Sequence, residues 1–180
     1  MFRRFVKREN AGLDADQLRA LAEANQLMEN GQPSLAAPFF ANLAAGLDAP
    51  RPRRAANIHA RAAHAFADSG QEQPALAQAR SALKMFIQYN MLQRTPVFYA
   101  NIRHKFNGKN MPNAARSLET EFKIPSGPLP VAAAPAKKHG QLPTNCPKCG
   151  APLRASEAEW IDENTIECSY CGAGIRSIEG

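Results

Sequence analysis

Four cysteines, the only ones in the chain, stand in two matched pairs near its end: Cys146-Pro-Lys-Cys149-Gly and Cys168-Ser-Tyr-Cys171-Gly. The segment between Cys149 and Cys168 is 18 residues long, which fits the C-x2-C…C-x2-C pattern of a zinc site. Each C-x-x-C turn offers two thiolates to one metal, and the following glycine takes the strained backbone position. Four thiolates at about 2.3 Å fill a tetrahedral shell and leave no place for water or substrate. The expected cofactor is therefore one structural Zn²⁺ on Cys146, Cys149, Cys168 and Cys171.

No run of about 18 apolar residues occurs, so no transmembrane segment is expected, and MFRRFVKREN lacks the apolar core of a signal peptide. The location expected is cytoplasmic, where thiols stay reduced and serve metals rather than disulfides.

The net charge is +6, unevenly spread. Residues 145–180 carry Lys148, Arg154 and Arg176 against Glu157, Glu159, Asp162, Glu163, Glu167 and Glu179, a balance of −3 that leaves +9 on the first 144 residues. A tetrathiolate zinc centre adds a formal −2 to the acidic end. Any nucleic-acid contact belongs upstream of the cysteines.

Residues 1–12 form a basic N-terminal segment in which Phe2, Phe5 and Val6 alternate with Arg3, Arg4, Lys7 and Arg8. Residues 1–8 are a weak candidate for contact with an anionic membrane, because so short a helix is marginal in water. From residue 13 to 123 the apolar period is helical. Asp14 with Gln17 reads as a capping box, followed by Leu18, Leu21, Ala24 and Met28 on one face and a stop at Asn30-Gly31. The second helix opens at Pro33 and presents Leu35, Phe39, Leu43 and Leu47, with Pro38 tolerated among the first unpaired N–H groups. Ile58, Ala62, Ala63 and Phe66 precede Ser69-Gly70; Pro74, Leu76, Ala79, Leu83, Phe86 and Ile87 follow. A third pair has Thr95 as cap, Phe98, Ile102 and Phe106, a stop at Asn107-Gly108, then Pro112, Ala115, Leu118 and Phe122.

A shift of 39 residues superposes Ala24, Ala63 and Ile102; Leu27, Phe66 and Lys105; and Ala36, Ala75 and Ala114, with closing glycines at 31, 70 and 108. Counted from Gly70, Ala63, Phe66, Ala75 and Ala82-Leu83 stand where a tetratricopeptide repeat has its small and bulky positions, with His59 at the signature tryptophan position. Residues 14–123 thus resemble that family, although the period exceeds its usual length of about 34. The resemblance implies a stack of about three helix pairs whose concave face binds peptides or proteins.

Residues 124–144, rich in proline and alanine, read as a flexible linker. In residues 145–180, Glu159-Trp160-Ile161 and Thr165-Ile166-Glu167 flank Asp162-Glu163-Asn164, a hairpin that brings Cys168 back to the first pair, with a third strand through Ile175. Trp160 is the expected large core side chain. The CPxCG turn at Cys146 to Gly150 resembles that of zinc ribbons, with Ser169 replacing proline in the second turn. The ribbon buries too little to fold without its metal.

The fold class expected is mostly α: a tetratricopeptide-like solenoid of short α-hairpins, a flexible linker and a small β zinc ribbon. No nucleophile elbow, phosphate-binding glycine loop or HExxH motif occurs, so no enzyme activity is expected. Asp162-Glu163 lies too close to Cys168 to act as the catalytic tip of a transcript-cleavage ribbon, and no flavin or nicotinamide motif accompanies a rubredoxin-like redox role. His59, His64, His104 and His139 form no ligand set. The function expected is that of a protein interaction adaptor, its helices binding a peptide or protein and its ribbon presenting an acidic hairpin. The alternative is a nucleic-acid-associated regulator. Arg51, Arg53, Arg54, Arg61, Arg103 and Lys105, with Arg94, Lys109 and Arg116, are its candidate phosphate-binding residues. An acidic protein segment, or the chain's own acidic ribbon, is the competing occupant of that surface.

Overall fold

A computed structural model describes residues 12–123, 140–154 and 158–178. The basic N-terminal segment and most of the linker expected from the sequence lie outside these residues. Six helices are described: α1 Ala15–Glu29, α2 Pro33–Leu47, α3 Pro52–Asp68, α4 Glu72–Gln88, α5 Arg94–Gly108 and α6 Pro112–Phe122. A small antiparallel sheet follows, with strands β1 Glu159–Trp160, β2 Thr165–Glu167 and β3 Gly174–Arg176 in that order. No described helix is long and apolar enough to cross a membrane.

Local chemistry sets the helix ends. Asp14 accepts from the Gln17 backbone at 2.9 Å while Gln17 Oε1 accepts from the Asp14 backbone at 3.2 Å, the reciprocal box that starts α1. Four later turns share one hydrogen-bond pattern. The N–H groups of Gln32, Gln71, Met91 and Met111 return to the carbonyls of Leu27, Phe66, Phe86 and Phe106 at 2.8–2.9 Å. Between them Gly31, Gly70, Asn90 and Asn110 take positive φ, the left-handed closure that satisfies carbonyls of the last helical turn. Gly108, expected to close the third pair, stays inside α5, and Asn110 turns the chain instead. Asparagine tolerates that conformation better than most side chains.

The inward face of α2 also differs from expectation. Ala36, Ala37, Phe40, Ala44 and Leu47 are buried, whereas Leu35 and Phe39 are exposed. Small residues let α2 close against α1 and α3, and this close approach outweighs side-chain size. Pro38 is the sixth residue of α2, beyond the free N–H groups, and is carried on the solvent side. Pro74 lies inside α4, which begins at Glu72. Thr95 lies inside α5, its hydroxyl donating to the Met91 carbonyl at 3.2 Å.

α3 is the central helix, packed by α2 on one side and α4 on the other. One core cluster joins α4, α5 and α6 to α3 through Ala63, Leu83, Phe86, Ile102, Phe106 and Leu118. The other holds Leu21, Phe40, Leu47 and Ile58 together with Ile166, Ile175 and all four cysteines. The ribbon therefore shares a core with α1, α2 and α3 instead of standing apart from them. Residues expected to end the linker belong to it as well: Ile178 N–H donates to the Gln141 carbonyl at 2.7 Å, and Leu153 N–H to that of Thr144 at 2.8 Å.

Candidate metal centre

The two cysteine turns are built alike. Gly150 N–H donates to the Cys146 carbonyl and Gly172 N–H to the Cys168 carbonyl, both at 2.8 Å. Cys146 N–H and Cys168 N–H then donate to Ala151 and Ala173, also at 2.8 Å. Gly150 and Gly172 have φ of 70° and 77°, a conformation in which a Cβ is strained. The antiparallel pairing of Trp160 with Ile166, and of Ile166 with Ile175, carries the second turn back onto the first. Trp160 is half-buried against the shared core.

All four sulfurs are buried and lie within 4.8 Å of one another. Cys146 Sγ is 3.8 Å from Cys171 Sγ, and Cys149 Sγ is 3.9 Å from Cys168 Sγ. A disulfide needs about 2.05 Å, so the cysteines are free. Tetrahedral thiolates at about 2.3 Å from one ion stand about 3.8 Å apart, and the observed spacing fits that arrangement. Without a cation the cluster cannot bear four charges. Hydrogen bonds from Cys149, Cys168 and Cys171 push the Cys146 thiol strongly down, and its neighbour Cys146 pushes Cys149 strongly up. A divalent ion removes this conflict by stabilising every thiolate.

The helices grip each turn with the same device. In α1, Asn25 Nδ2 donates to the Cys149 carbonyl at 2.8 Å, and Arg61 of α3 donates to Asn25 Oδ1 at 2.5 Å. In α3, Asn57 Nδ2 donates to the Ser169 carbonyl at 3.1 Å, and Arg94 of α5 donates to Asn57 Oδ1 at 2.6 Å. Arg94 also reaches Ser169 Oγ at 2.5 Å. Arg54 pairs with Glu167 of β2 at 2.5 Å, and its side chain is 7% exposed. Each net hydrogen bond contributes about 1 kcal/mol, whereas burying Ile166 or Ile175 contributes about 1.5–3 kcal/mol each. Apolar burial thus supplies much of the attachment, and the asparagines fix its register.

Six of the basic residues singled out from the sequence, Arg51, Arg53, Arg54, Arg61, Arg103 and Lys105, each have a partner inside the chain. Arg51 donates to Gln17, Arg53 to the Tyr89 carbonyl, Arg54 to Glu167 and Arg61 to Asn25. Arg103 pairs with Glu119 at 3.1 Å and lies over the Tyr99 ring; Lys105 pairs with Asp68 at 2.6 Å. Arg61 also lies over Phe40, 5.2 Å from its ring centre. Of the acidic hairpin, Asp162 and Glu163 are exposed at the tip while Glu167 turns inward to Arg54.

His59 is buried between Asp48 Oδ1 at 2.9 Å and Gln78 Oε1 at 2.6 Å. His64 stands edge-on to Phe98, and burial, aided by Lys105 and Arg61, pushes it down to about 3. His104 is exposed, and His139 lies outside the described residues. Sequence reading missed Asn25 and Asn57. Their signal was an amide set among apolar helix positions, beside Leu21 and Ala24 in α1 and beside Ala56 and Ile58 in α3, which must find partners once buried.

No family model, curated protein or solved structure matches this chain.

Proposed function

We propose that this chain is a non-enzymatic protein interaction scaffold in which one structural Zn²⁺ locks a ribbon onto a short stack of tetratricopeptide-like helical hairpins. The observation that carries the reading is the buried, closed four-sulfur shell set within the core of α1, α2 and α3. Such a shell offers no open coordination position for chemistry. Its role is to hold a surface in shape.

That surface has apolar anchors. Leu35 and Phe39, one turn apart on α2, are 53% and 38% exposed, and Ile161 at the hairpin tip is 62% exposed beside Asp162 and Glu163. A peptide or protein partner is the occupant proposed for the helical surface. The nucleic-acid alternative draws less support, because Arg53, Arg54 and Arg103 already engage Tyr89, Glu167 and Glu119.

Elemental analysis of the intact protein tests the metal part: one zinc per chain is expected, and a metal-free, fully folded protein would sink it. Capture of partners by intact protein beside Leu35→Ser/Phe39→Ser tests the scaffold part. Loss of a defined partner from the variant is expected, and binding of RNA alone, abolished by salt, would replace this reading with the alternative.

A further inference from the structure

Four thiolates around one Zn²⁺ carry a formal charge of −2, and the four cysteines are buried in one core with Leu21, Phe40, Ile58 and Ile166. Charge in such surroundings needs an opposite charge held close to it. Lys148, inside the first cysteine turn, is exposed, so solvent and salt screen it. Arg61 of α3 is placed otherwise. It donates to Asn25 Oδ1 at 2.5 Å, and Asn25 Nδ2 donates to the Cys149 carbonyl at 2.8 Å. Its guanidinium lies over the Phe40 ring, its Nε is buried without a hydrogen-bond partner, and it forms no ion pair with a carboxylate among the described residues. Burial disfavours its charge, as does Arg154, while Tyr170, Cys149 and Glu29 favour it. A guanidinium stays charged at neutral pH all the same. This cation therefore faces a neutral amide, and the line from it through that amide ends on the first cysteine turn.

We propose that Arg61 supplies counter-charge to the four-thiolate centre and so sets how tightly zinc is held, as a positioning residue that acts through Asn25. The inference rests on the zinc reading above. Asn25 is polarised between a cation and a carbonyl, and hydrogen bonds in a chain strengthen one another, so the positive charge is transmitted to the turn that carries Cys149. Arg94 repeats the arrangement at the second turn, donating to Asn57 Oδ1 at 2.6 Å while Asn57 Nδ2 donates to the Ser169 carbonyl at 3.1 Å. Each cysteine turn is thus reached by one arginine through one asparagine. Any donor behind the asparagines would fix their orientation. A guanidinium in both places adds charge, which the anionic centre requires and a neutral donor does not provide.

The zinc affinity of the intact protein, measured by competition with a chromophoric chelator at neutral pH and moderate salt, tests this with two substitutions at one position. Arg61→Lys keeps the charge, whereas Arg61→Gln keeps a donor for Asn25 and loses the charge. Arg61→Gln should weaken zinc binding about tenfold or more, the range for residues that support metal ligands, and Arg61→Lys should recover most of that loss. Arg103→Gln, the same change in charge on α5 beside Glu119, should stay within about twofold of the native protein. Should Arg61→Gln fail to fold by circular dichroism, Arg94→Lys and Arg94→Gln carry the same comparison at the second turn. Equal losses in the lysine and glutamine variants, unchanged affinity in the glutamine variant, or an equal loss in Arg103→Gln overturns the inference and leaves the zinc reading standing. Native protein that folds without holding zinc overturns both.

Discussion

Asn25 Nδ2 lies 2.8 Å from the carbonyl oxygen of Cys149, a hydrogen bond across 124 positions of sequence that fastens α1 to the first cysteine turn. The same amide donates to the Leu21 carbonyl at 3.0 Å and accepts from Arg61. Asn25 is 1% exposed, so removing it strands an arginine and a carbonyl in the interior. Asn25→Ala should destabilise the protein by about 2–3 kcal/mol, read from urea unfolding followed by Trp160 fluorescence. A change below about 0.5 kcal/mol, the range of ordinary surface substitutions, would show that the clamp carries no weight.

Arg54 and Glu167 join α3 to β2 with one side chain buried and the other 37% exposed. Full burial would make the loss of one partner cost about 3–5 kcal/mol, and partial solvent access lowers this towards about 1–2 kcal/mol. A double-mutant cycle with Arg54→Met and Glu167→Gln should give a favourable coupling of that size. Additive single changes contradict the pairing.

Pro38 interrupts the backbone ladder of α2 from an exposed position. Proline in a helix interior is about 3 kcal/mol less favourable than alanine, and α2 is held by packing on both sides. Pro38→Ala should therefore raise stability, by about 1 kcal/mol or more once the greater freedom of the unfolded chain is counted. A lower midpoint in thermal unfolding would mean that the proline shapes α2 in a way the buried alanines require.

His64 should make stability depend on pH. Its imidazole titrates near 6.5 in the unfolded chain and is pushed down to about 3 in the folded one, chiefly by burial, with Lys105, Arg61 and Arg154 opposing its charge and Asp68 favouring it. The unfolded state then binds the extra proton, so the folded state loses stability as pH falls from about 6.5 towards 3. His64→Phe lacks this dependence. The stability of the native protein minus that of the variant should decline between pH 7 and pH 5, a comparison in which acid effects on the cysteines are common to both. A constant difference contradicts the buried neutral imidazole.

The helices were legible in the sequence because caps, glycine stops and apolar spacing act locally: the Asp14–Gln17 box, the turns at Gly31 and Gly70, and the buried faces through Ile102 and Phe106 all follow from them. The cysteine cluster was legible because spacing and thiol chemistry suffice to bring four sulfurs together. The phase of α2 was not, since Leu35 and Ala36 are told apart only by how closely α1 and α3 approach. Nor was the attachment of the ribbon. A proline-rich stretch upstream of Gln141 suggests freedom, and nothing local to Asn25, Asn57 or Glu167 says that they will meet partners more than 100 positions away. The surplus positive charge of the helical part was the one long-range sign, and part of it answers the acidic ribbon through Arg54.

The central claim is that the four-cysteine cluster and the helices form one structural unit. Amide hydrogen exchange of the intact protein, with zinc added and after chelation, tests this most directly, because it reads each helix separately. The account predicts that chelation releases residues 141–178 and also accelerates exchange along α1 and the first half of α3, where Asn25, Arg54 and Asn57 hold the cysteine turns, while α6 remains protected. Faster exchange confined to residues 141–178, with α1 and α3 unchanged, would contradict it.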